Sequence, residues 1–217
     1  MRDPRPSPIA LAVLSLLYEE PMHPYRMQKL IRERKKDEVI NVRQRASLYQ
    51  VIRRLLRDGL IRVRGVDGEG NLPERTVYEL TESGRETAIR WMREMLARPV
   101  NEYPLFPAAL AHLPLLSPDD AAKQLKKRLQ ALRRERRRLK SQFEDERALL
   151  PRLFLLESEY LISLMEAEIA WLERLIGELE SGKIAWNQEA LLALAKAFSS
   201  ETERKPSGAD SADPAFP

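Results

Sequence analysis

The stretch 46–65, "ASLYQVIRRLLRDGLIRVRG", decides the fold, because an amphipathic helix passes there into a strand-like segment. Apolar residues three, four, seven and eight positions after Leu48 form a single stripe along an α-helix. The opposite side of that helix carries Gln50, Arg53 and Arg57. Such a helix fits either an ordinary solvated basic face or a surface that binds a polyanion, and the neighbouring elements favour the second interpretation.

The predicted elements around this helix follow the order helix, helix, helix, hairpin, helix. After Gly59 the apolar period changes from 3.6 to 2, which predicts two strands around a glycine-rich tip. This order is that of a winged helix-turn-helix, in which the third helix enters the major groove and the hairpin touches the adjacent backbone. Ser7-Pro8 begins the first helix, Glu20-Pro21 ends it, and His23-Pro24 begins the second helix. Gly59 ends the third helix, the tip "GVDGEGNLPER" (65–75) joins the two strands, and Thr81 caps a fourth helix that runs to about Leu96.

Two long amphipathic helices are predicted in the C-terminal half. The proline-rich stretch 99–118 is a linker or a broken helix, Ser117-Pro118 begins the first long helix, and Pro151 begins the second, which ends at Gly182. Each helix has more apolar surface than the other alone can bury, so we expect self-association. A short helix is predicted over 187–198, and the tail beyond it has the composition of a disordered end.

Charge is distributed unevenly along the chain. Residues 1–98 hold 20 Lys and Arg against 14 Asp and Glu, whereas the remainder holds 17 against 19. The basic excess of the N-terminal half indicates where a polyanion would bind. Ten basic residues and one acid lie between Lys123 and Lys140. There we expect a solvated helix face partly paired with acids of the next helix, in preference to a second DNA contact.

Composition and motifs argue against several other functions. The chain has no Cys, and its two histidines, His23 and His112, lack the spacing of a metal site. No glycine-rich phosphate loop or nucleophile elbow is present in the sequence, so we expect neither an enzyme nor a bound cofactor. The apolar stretch near the N-terminus is too short to span a bilayer, and a cytoplasmic protein is predicted.

Three spaced segments, "HPYRMQKLI", "SLYQVIRRLLRDGLI" and "VYELTESGRE", resemble the PadR family of bacterial transcriptional regulators over residues 8–90. Ala46 stands where the family usually has Gly, and Gln50 where it has Pro, which gives Gln50 a base-reading role. In the wing only Arg75 matches the family's basic residues. The segments "LLSPDDAAKQLKKRL" and "EAEIAWLERLIGELE" resemble the family's longer dimerisation domain.

The resemblance and the helix pattern together define the predicted sites. Tyr49, at the edge of the apolar stripe, suits a phosphate-bonding hydroxyl and plain packing equally well. The resemblance also implies a small aromatic effector near Tyr160, Met165 and Trp171, although packing at a dimer interface is the interpretation we prefer for these residues. The predicted contacts to double-stranded operator DNA are Arg43, Gln44, Arg45, Ser47, Tyr49, Gln50, Arg53, Arg54, Arg62, Arg64 and Arg75.

The predicted fold class is mainly α with a small β-hairpin. A winged helix-turn-helix domain spans residues 1–98, a helical dimerisation and effector domain 99–200, and a disordered tail 201–217. The leading hypothesis is a sequence-specific, homodimeric repressor that binds a near-palindromic operator and is released by a small molecule or another signal. The alternative is a winged-helix adaptor that docks a partner protein without specific DNA binding.

Overall fold

The structure, a computed structural model, describes residues 6–41, 45–67, 75–187 and 190–191. The chain divides into two compact units, Met1–Glu102 and Tyr103–Pro217. Its helices are α1 (Pro8–Glu19), α2 (Pro24–Glu33), α3 (Arg45–Arg57), α4 (Glu82–Ala97), α5 (Leu105–Ala111), α6 (Pro118–Arg147) and α7 (Leu156–Glu180), and its strands are β1 (Ile61–Asp67) and β2 (Arg75–Leu80). Short 3₁₀ turns occupy Lys36–Glu38, Leu113–Leu115 and Arg152–Leu155. The predicted class, mainly helical with one hairpin within the described residues, is confirmed.

The helices of the first unit begin at the predicted caps. Ser7 Oγ accepts the backbone N–H of Ala10 at 3.2 Å, and Pro8 fills the first helical position, where no N–H is needed. Thr81 Oγ1 accepts the N–H of Gly84 at 3.0 Å and so begins α4. These side chains satisfy backbone donors that the first helical turn leaves unpaired.

The apolar stripe of α3 lies in the core of the first unit. Leu48, Ile52 and Leu55 are buried, whereas Leu56, which we expected on the same stripe, is 37% exposed at its edge. On α4 the spacing of Ala88, Trp91, Met92 and Met95 predicts one apolar side. Ala88 and Trp91 are buried, whereas Met92 and Met95 are 44% and 42% exposed, so the buried side is narrower than predicted. The side chains that fill the centre of this core are Val13, Leu14, Met22, Met27, Leu48, Ile52, Leu55, Ile61 and Trp91.

The two strands form the predicted antiparallel hairpin, with Ile61 opposite Leu80. A bulge lies between Val63 and Gly65, and Val63, which the alternating pattern placed with Ile61, is 48% exposed. Val63 precedes the bulge and keeps the register of Ile61, so its exposure reflects its place two residues farther along the hairpin from the buried end at Ile61. At the other edge of β2, Met22 in the loop before α2 pairs with Tyr78: each donates its backbone N–H to the carbonyl oxygen of the other at 3.1 Å.

Gly84 marks the closest approach of α4 to the hairpin. A Cβ atom at this position would stand 2.0 Å from the carbonyl oxygen of Leu60. That oxygen is held in place because it accepts the hydroxyl of Thr81 at 3.0 Å and the backbone N–H of the same residue at 3.2 Å. Only glycine allows α4 to begin this close to the start of the wing.

In the second unit α6 and α7 pack antiparallel around a leucine- and isoleucine-rich seam. Four ion pairs join the basic run of α6 to acids of α7, as we expected for a solvated, partly paired face. The stretch predicted as a linker or broken helix contains the short helix α5, whose Phe106 lies 3.7 Å below the guanidinium of Arg128. The ion pairs are Lys126–Glu180, Arg128–Glu168, Arg133–Glu173 and Lys140–Glu166.

Helix α7 is apolar on two sides, which corrects the predicted stripe. The side packed against α6 carries Ile162, Ile169, Leu172, Ile176 and Leu179. The spacing of the sequence predicts one apolar side along this helix, formed by Leu153, Leu156, Tyr160, Leu164, Trp171, Leu175 and Leu179. The first five are exposed, by 71%, 45%, 64%, 49% and 37% in that order, and Leu153 lies in the 3₁₀ turn before α7. We call these five residues the outer stripe. Most of the short helix predicted over 187–198, and the tail after it, lie outside the described residues.

Candidate nucleic-acid interface

The side of α3 opposite the core is polar and open to solvent. Gln50, Arg53 and Arg57 are exposed, Tyr49 is 46% exposed, and Ser47 is half-buried. Because the buried stripe fixes the rotation of the helix, Gln50, Arg53 and Arg57 point away from the protein, and Ser47 and Tyr49 lie on opposite flanks of that face. Two further predicted contacts, Arg43 and Gln44, lie outside the described residues, and α3 begins at Arg45, whose side chain is also outside them.

Arg54 differs from the other arginines of α3, because its guanidinium is half-buried against the start of α1. Nη2 donates a hydrogen bond to Ser7 Oγ at 3.2 Å, and Nε has no hydrogen-bond partner within the described residues. The same Ser7 oxygen caps α1. In this structure Arg54 ties α3 to the first helix, and its contact with a phosphate stays a prediction.

The arginines of β1 are joined to an acid that the sequence analysis did not single out. Arg62 Nε donates to Glu79 Oε1 at 2.6 Å, and Arg64 Nε lies 4.0 Å from the other carboxylate oxygen. Both arginine side chains remain well exposed, at 70% and 60%, whereas that of Glu79 is 22% exposed. The sequence alone does not signal this pair, because Arg62 and Glu79 are identified as direct cross-strand neighbours only by the strand register.

Arg75 begins β2 and lies beside the first turn of α2. Its guanidinium carbon is 5.1 Å from the centre of the Tyr25 ring, a cation–π distance. His23 caps α2 by accepting the N–H of Arg26 on Nδ1 at 3.1 Å, and its ring stacks with that of Tyr25 at 6.1 Å. Sequence reasoning missed Tyr25, although it belongs to the segment "HPYRMQKLI" that carries the family resemblance.

Apart from Arg54, the predicted contacts that α3 and the two strands leave exposed or half-buried are grouped here under one name. Gln50 and Arg53 of α3 lie on the same edge as Tyr49, which shares a pocket with residues at the start of α2 and on β2. We define the basic surface as Ser47, Tyr49, Gln50, Arg53, Arg62, Arg64 and Arg75.

The residues predicted for an effector are not brought together. Tyr160 and Trp171 are eleven positions apart on α7, about 16 Å along the axis, and Met165 is rotated from Tyr160 by about 140°. The Trp171 ring packs edge-on against Phe106 at 6.2 Å. An effector site and packing at a dimer interface both stay predictions for these three residues.

No cluster of His, Asp or Glu able to hold a metal ion occurs among the described residues, and His23 serves as a helix cap. Over the same part of the chain, no helix has the length and apolar character needed to cross a membrane.

Comparison with known proteins agrees with the winged-helix geometry. The model of the "Transcriptional regulator PadR-like family" matches residues 13–90. No curated protein sequence is significantly similar to the chain. Several solved structures share the fold at low sequence identity.

Bacillus subtilis PadR in complex with operator DNA is 19% identical and superposes with a TM-score of 0.64, covering 81% of this chain and 99% of that one. The structure of the same protein in complex with p-coumaric acid is 18% identical and superposes with a TM-score of 0.63, covering 79% of this chain and 98% of that one. The Vibrio cholerae virulence activator AphA is 18% identical and superposes with a TM-score of 0.59, covering 80% of this chain and 98% of that one. At these identities the likeness shows a shared fold. The match over residues 13–90 shows that the winged-helix part of the chain is similar to the PadR-like family of transcriptional regulators.

Proposed function

We propose that this chain is a sequence-specific transcription regulator that binds double-stranded operator DNA through its basic surface. The observation that carries the proposal is the division of α3 into a buried apolar stripe and an exposed edge with Gln50 and Arg53. A helix held in this way presents its polar edge to a major groove while the hairpin follows the adjacent backbone. Members of the family are regulators and not enzymes, in agreement with the absence of catalytic motifs from the sequence.

The residues of the basic surface divide between base and backbone contacts. Gln50 suits the paired donor and acceptor of an adenine edge, and Arg53 can form two hydrogen bonds to guanine. Ser47 and Tyr49 offer hydroxyls to phosphate oxygens, and the arginines of the hairpin neutralise phosphates without reading sequence. Arg54 acts indirectly, by fixing α3 to the cap of α1.

We also propose a homodimer formed through the C-terminal helices. The outer stripe leaves five large apolar side chains of 153–171 exposed in the isolated chain, and such a stripe on a long helix is typical of a subunit interface. Two copies of α3 would then occupy successive major grooves of a near-palindromic site. Sedimentation of the full chain, compared with a Leu164→Glu variant, tests this: a dimer that the variant converts to monomer supports it, and a wild-type monomer contradicts it.

We propose that the protein is cytoplasmic and represses transcription, and that a small molecule or another signal relieves the repression. B. subtilis PadR has been solved both with operator DNA and with p-coumaric acid, which supports a DNA partner and a small effector. The structurally similar AphA is an activator, so a reporter gene under the selected operator must decide the sign. Expression that rises when the protein is removed supports repression.

The DNA-binding proposal is tested by selecting duplexes from random DNA with the full-length chain and measuring affinity against salt. A specific site whose affinity falls steeply with salt is expected, because each neutralised phosphate adds about 0.9 to the logarithmic slope. Failure to enrich any site contradicts the proposal.

A protein-binding adaptor is the second candidate, and one observation favours it. An apolar groove of about 750 Å³ runs between α1 and α4, lined by Leu11, Tyr18, Ile89, Met92 and Leu96 among others. A chain that captures a partner protein through this groove, and shows no preference among duplexes, would be an adaptor.

A further inference from the structure

A separate pocket of about 350 Å³ lies where α2, α3 and β2 meet. Its lining is rich in hydrogen-bond donors and, among the described residues, includes no acid. Three tyrosines, one guanidinium, one hydroxyl and one imidazole surround the space. The lining residues are His23, Pro24, Tyr25, Tyr49, Arg75, Thr76 and Tyr78.

The backbone holds this pocket open and fixed. Met22, the residue before His23, pairs with Tyr78 of β2 through two hydrogen bonds of 3.1 Å, so the start of α2 is fastened to the hairpin. The His23 cap fixes the first turn of α2. The guanidinium carbon of Arg75 lies 5.1 Å from the centre of the Tyr25 ring, and this cation–π contact restricts the side chain. The guanidinium therefore loses less conformational entropy when it binds an anion.

The chemistry and position of the pocket select its ligand. Tyrosine hydroxyls, a threonine hydroxyl and a guanidinium donate to anionic oxygens, and no carboxylate in the described lining opposes them. Tyr49 directly precedes Gln50, so the pocket adjoins the edge of α3 assigned to base contacts. A backbone phosphate of a duplex whose major groove holds α3 therefore passes beside this opening.

We propose that the pocket seats one defined backbone phosphate of each operator half-site, held by Tyr25, Tyr49 and Arg75. This inference rests on the proposed function and deepens it. Tyr25 is assigned a DNA-contacting role in addition to its stacking with Arg75. His23 is a positioning residue, because it acts through the cap of α2 and the Tyr25 ring.

The test uses the full-length chain and its selected operator, in which single phosphates are replaced one at a time by neutral methylphosphonates. In the wild type, replacement at one position of each half-site is expected to weaken binding about tenfold, the effect of losing hydrogen bonds to a charged group. Tyr25→Phe and Arg75→Gln are expected to weaken binding of the unmodified operator by a similar factor. In these variants, a methylphosphonate at the position of the seated phosphate is expected to weaken binding little further, because the contact is already lost.

The chain supplies a matched control, because Arg85 of α4 lies over the ring of Tyr18 at 4.3 Å in the same kind of stack outside the pocket. Tyr18→Phe and Arg85→Gln should leave the methylphosphonate profile unchanged. For His23, Asn keeps an acceptor for the cap whereas Ala removes it, so His23→Asn should retain more affinity than His23→Ala. Thermal melts confirm that each variant is folded.

Loss of the methylphosphonate effect at one position in the Tyr25 and Arg75 variants, and not in the controls, supports the seat. Pocket variants that bind the operator as the wild type does, or that lose affinity with an unaltered methylphosphonate profile, overturn it and leave the proposed function standing. A chain that selects no duplex at all overturns both.

Discussion

Replacing Glu79 with Gln should make the protein bind its operator more tightly. Glu79 pairs with Arg62 at 2.6 Å and lies 4.0 Å from Arg64, so DNA must compete with this carboxylate for both guanidinium groups. An exposed ion pair is worth about 0.2–1 kcal/mol, and the longer contact adds little. Removing the competition should therefore tighten binding by up to about fivefold, since each 1.4 kcal/mol corresponds to a factor of ten.

The salt dependence gives a second readout of the same change. If one released arginine gains a phosphate, the slope of log affinity against log salt should steepen by about 0.9. Fluorescence anisotropy with a labelled operator between low and moderate salt measures both quantities. Glu86→Gln is the control, because Glu86 is exposed on α4, outside the basic surface, and its replacement changes the net charge equally. A Glu79→Gln protein that binds no more tightly than the control, with the wild-type slope, would refute the reasoning.

Three further changes test the fold around the basic surface. Gly84→Ala should lower the free energy of unfolding by about 2–4 kcal/mol, because its Cβ would lie 2.0 Å from the Leu60 carbonyl oxygen; urea unfolding measures this, and an unchanged midpoint would contradict it. Gln28→Met should raise the free energy of unfolding by about 0.5–1.5 kcal/mol, because the buried Nε2 of Gln28 has no partner among the described residues; a loss of stability in the same assay would count against this. The hydrogen bond from Arg34 holds the pKa of the Glu19 carboxyl below its usual range. The pair therefore stabilises the folded state at a pH above the pKa that Glu19 has in the unfolded chain, and this contribution is lost as the pH falls through the lower pKa of the folded state. NMR titration of an Arg34→Met variant should show the Glu19 pKa rising towards its ordinary value, and no rise would disprove the assignment.

Local periodicity was enough to predict the elements that position the basic surface. The period of 3.6 in α3 identified Leu48, Ile52 and Leu55 as buried, and the change to a period of 2 after Gly59 located the hairpin. Capping chemistry at Ser7 is equally local, because a cap depends on residues three positions apart. Such features follow from neighbouring residues alone.

The features that the sequence left open depend on contacts between distant segments. The Arg54 contact with Ser7 spans 47 positions, and no periodic pattern signals it. The pairing of Arg62 with Glu79 follows only once the hairpin register is known. Helix α7 has two apolar sides, and either could pack against α6. Spacing alone does not show whether the side with Tyr160 or the opposite side faces α6 within the chain.

The central claim, that the exposed edge of α3 contacts base edges, is tested most directly by comparing operator preferences. Duplex selection should be run in parallel with the wild type, Gln50→Ala and Arg64→Gln. We expect Gln50→Ala to relax the preference at one base pair of each half-site, at a cost of about 1–3 kcal/mol there, and Arg64→Gln to weaken all sequences alike. A Gln50→Ala protein whose base preferences match those of the wild type at every position would contradict the account.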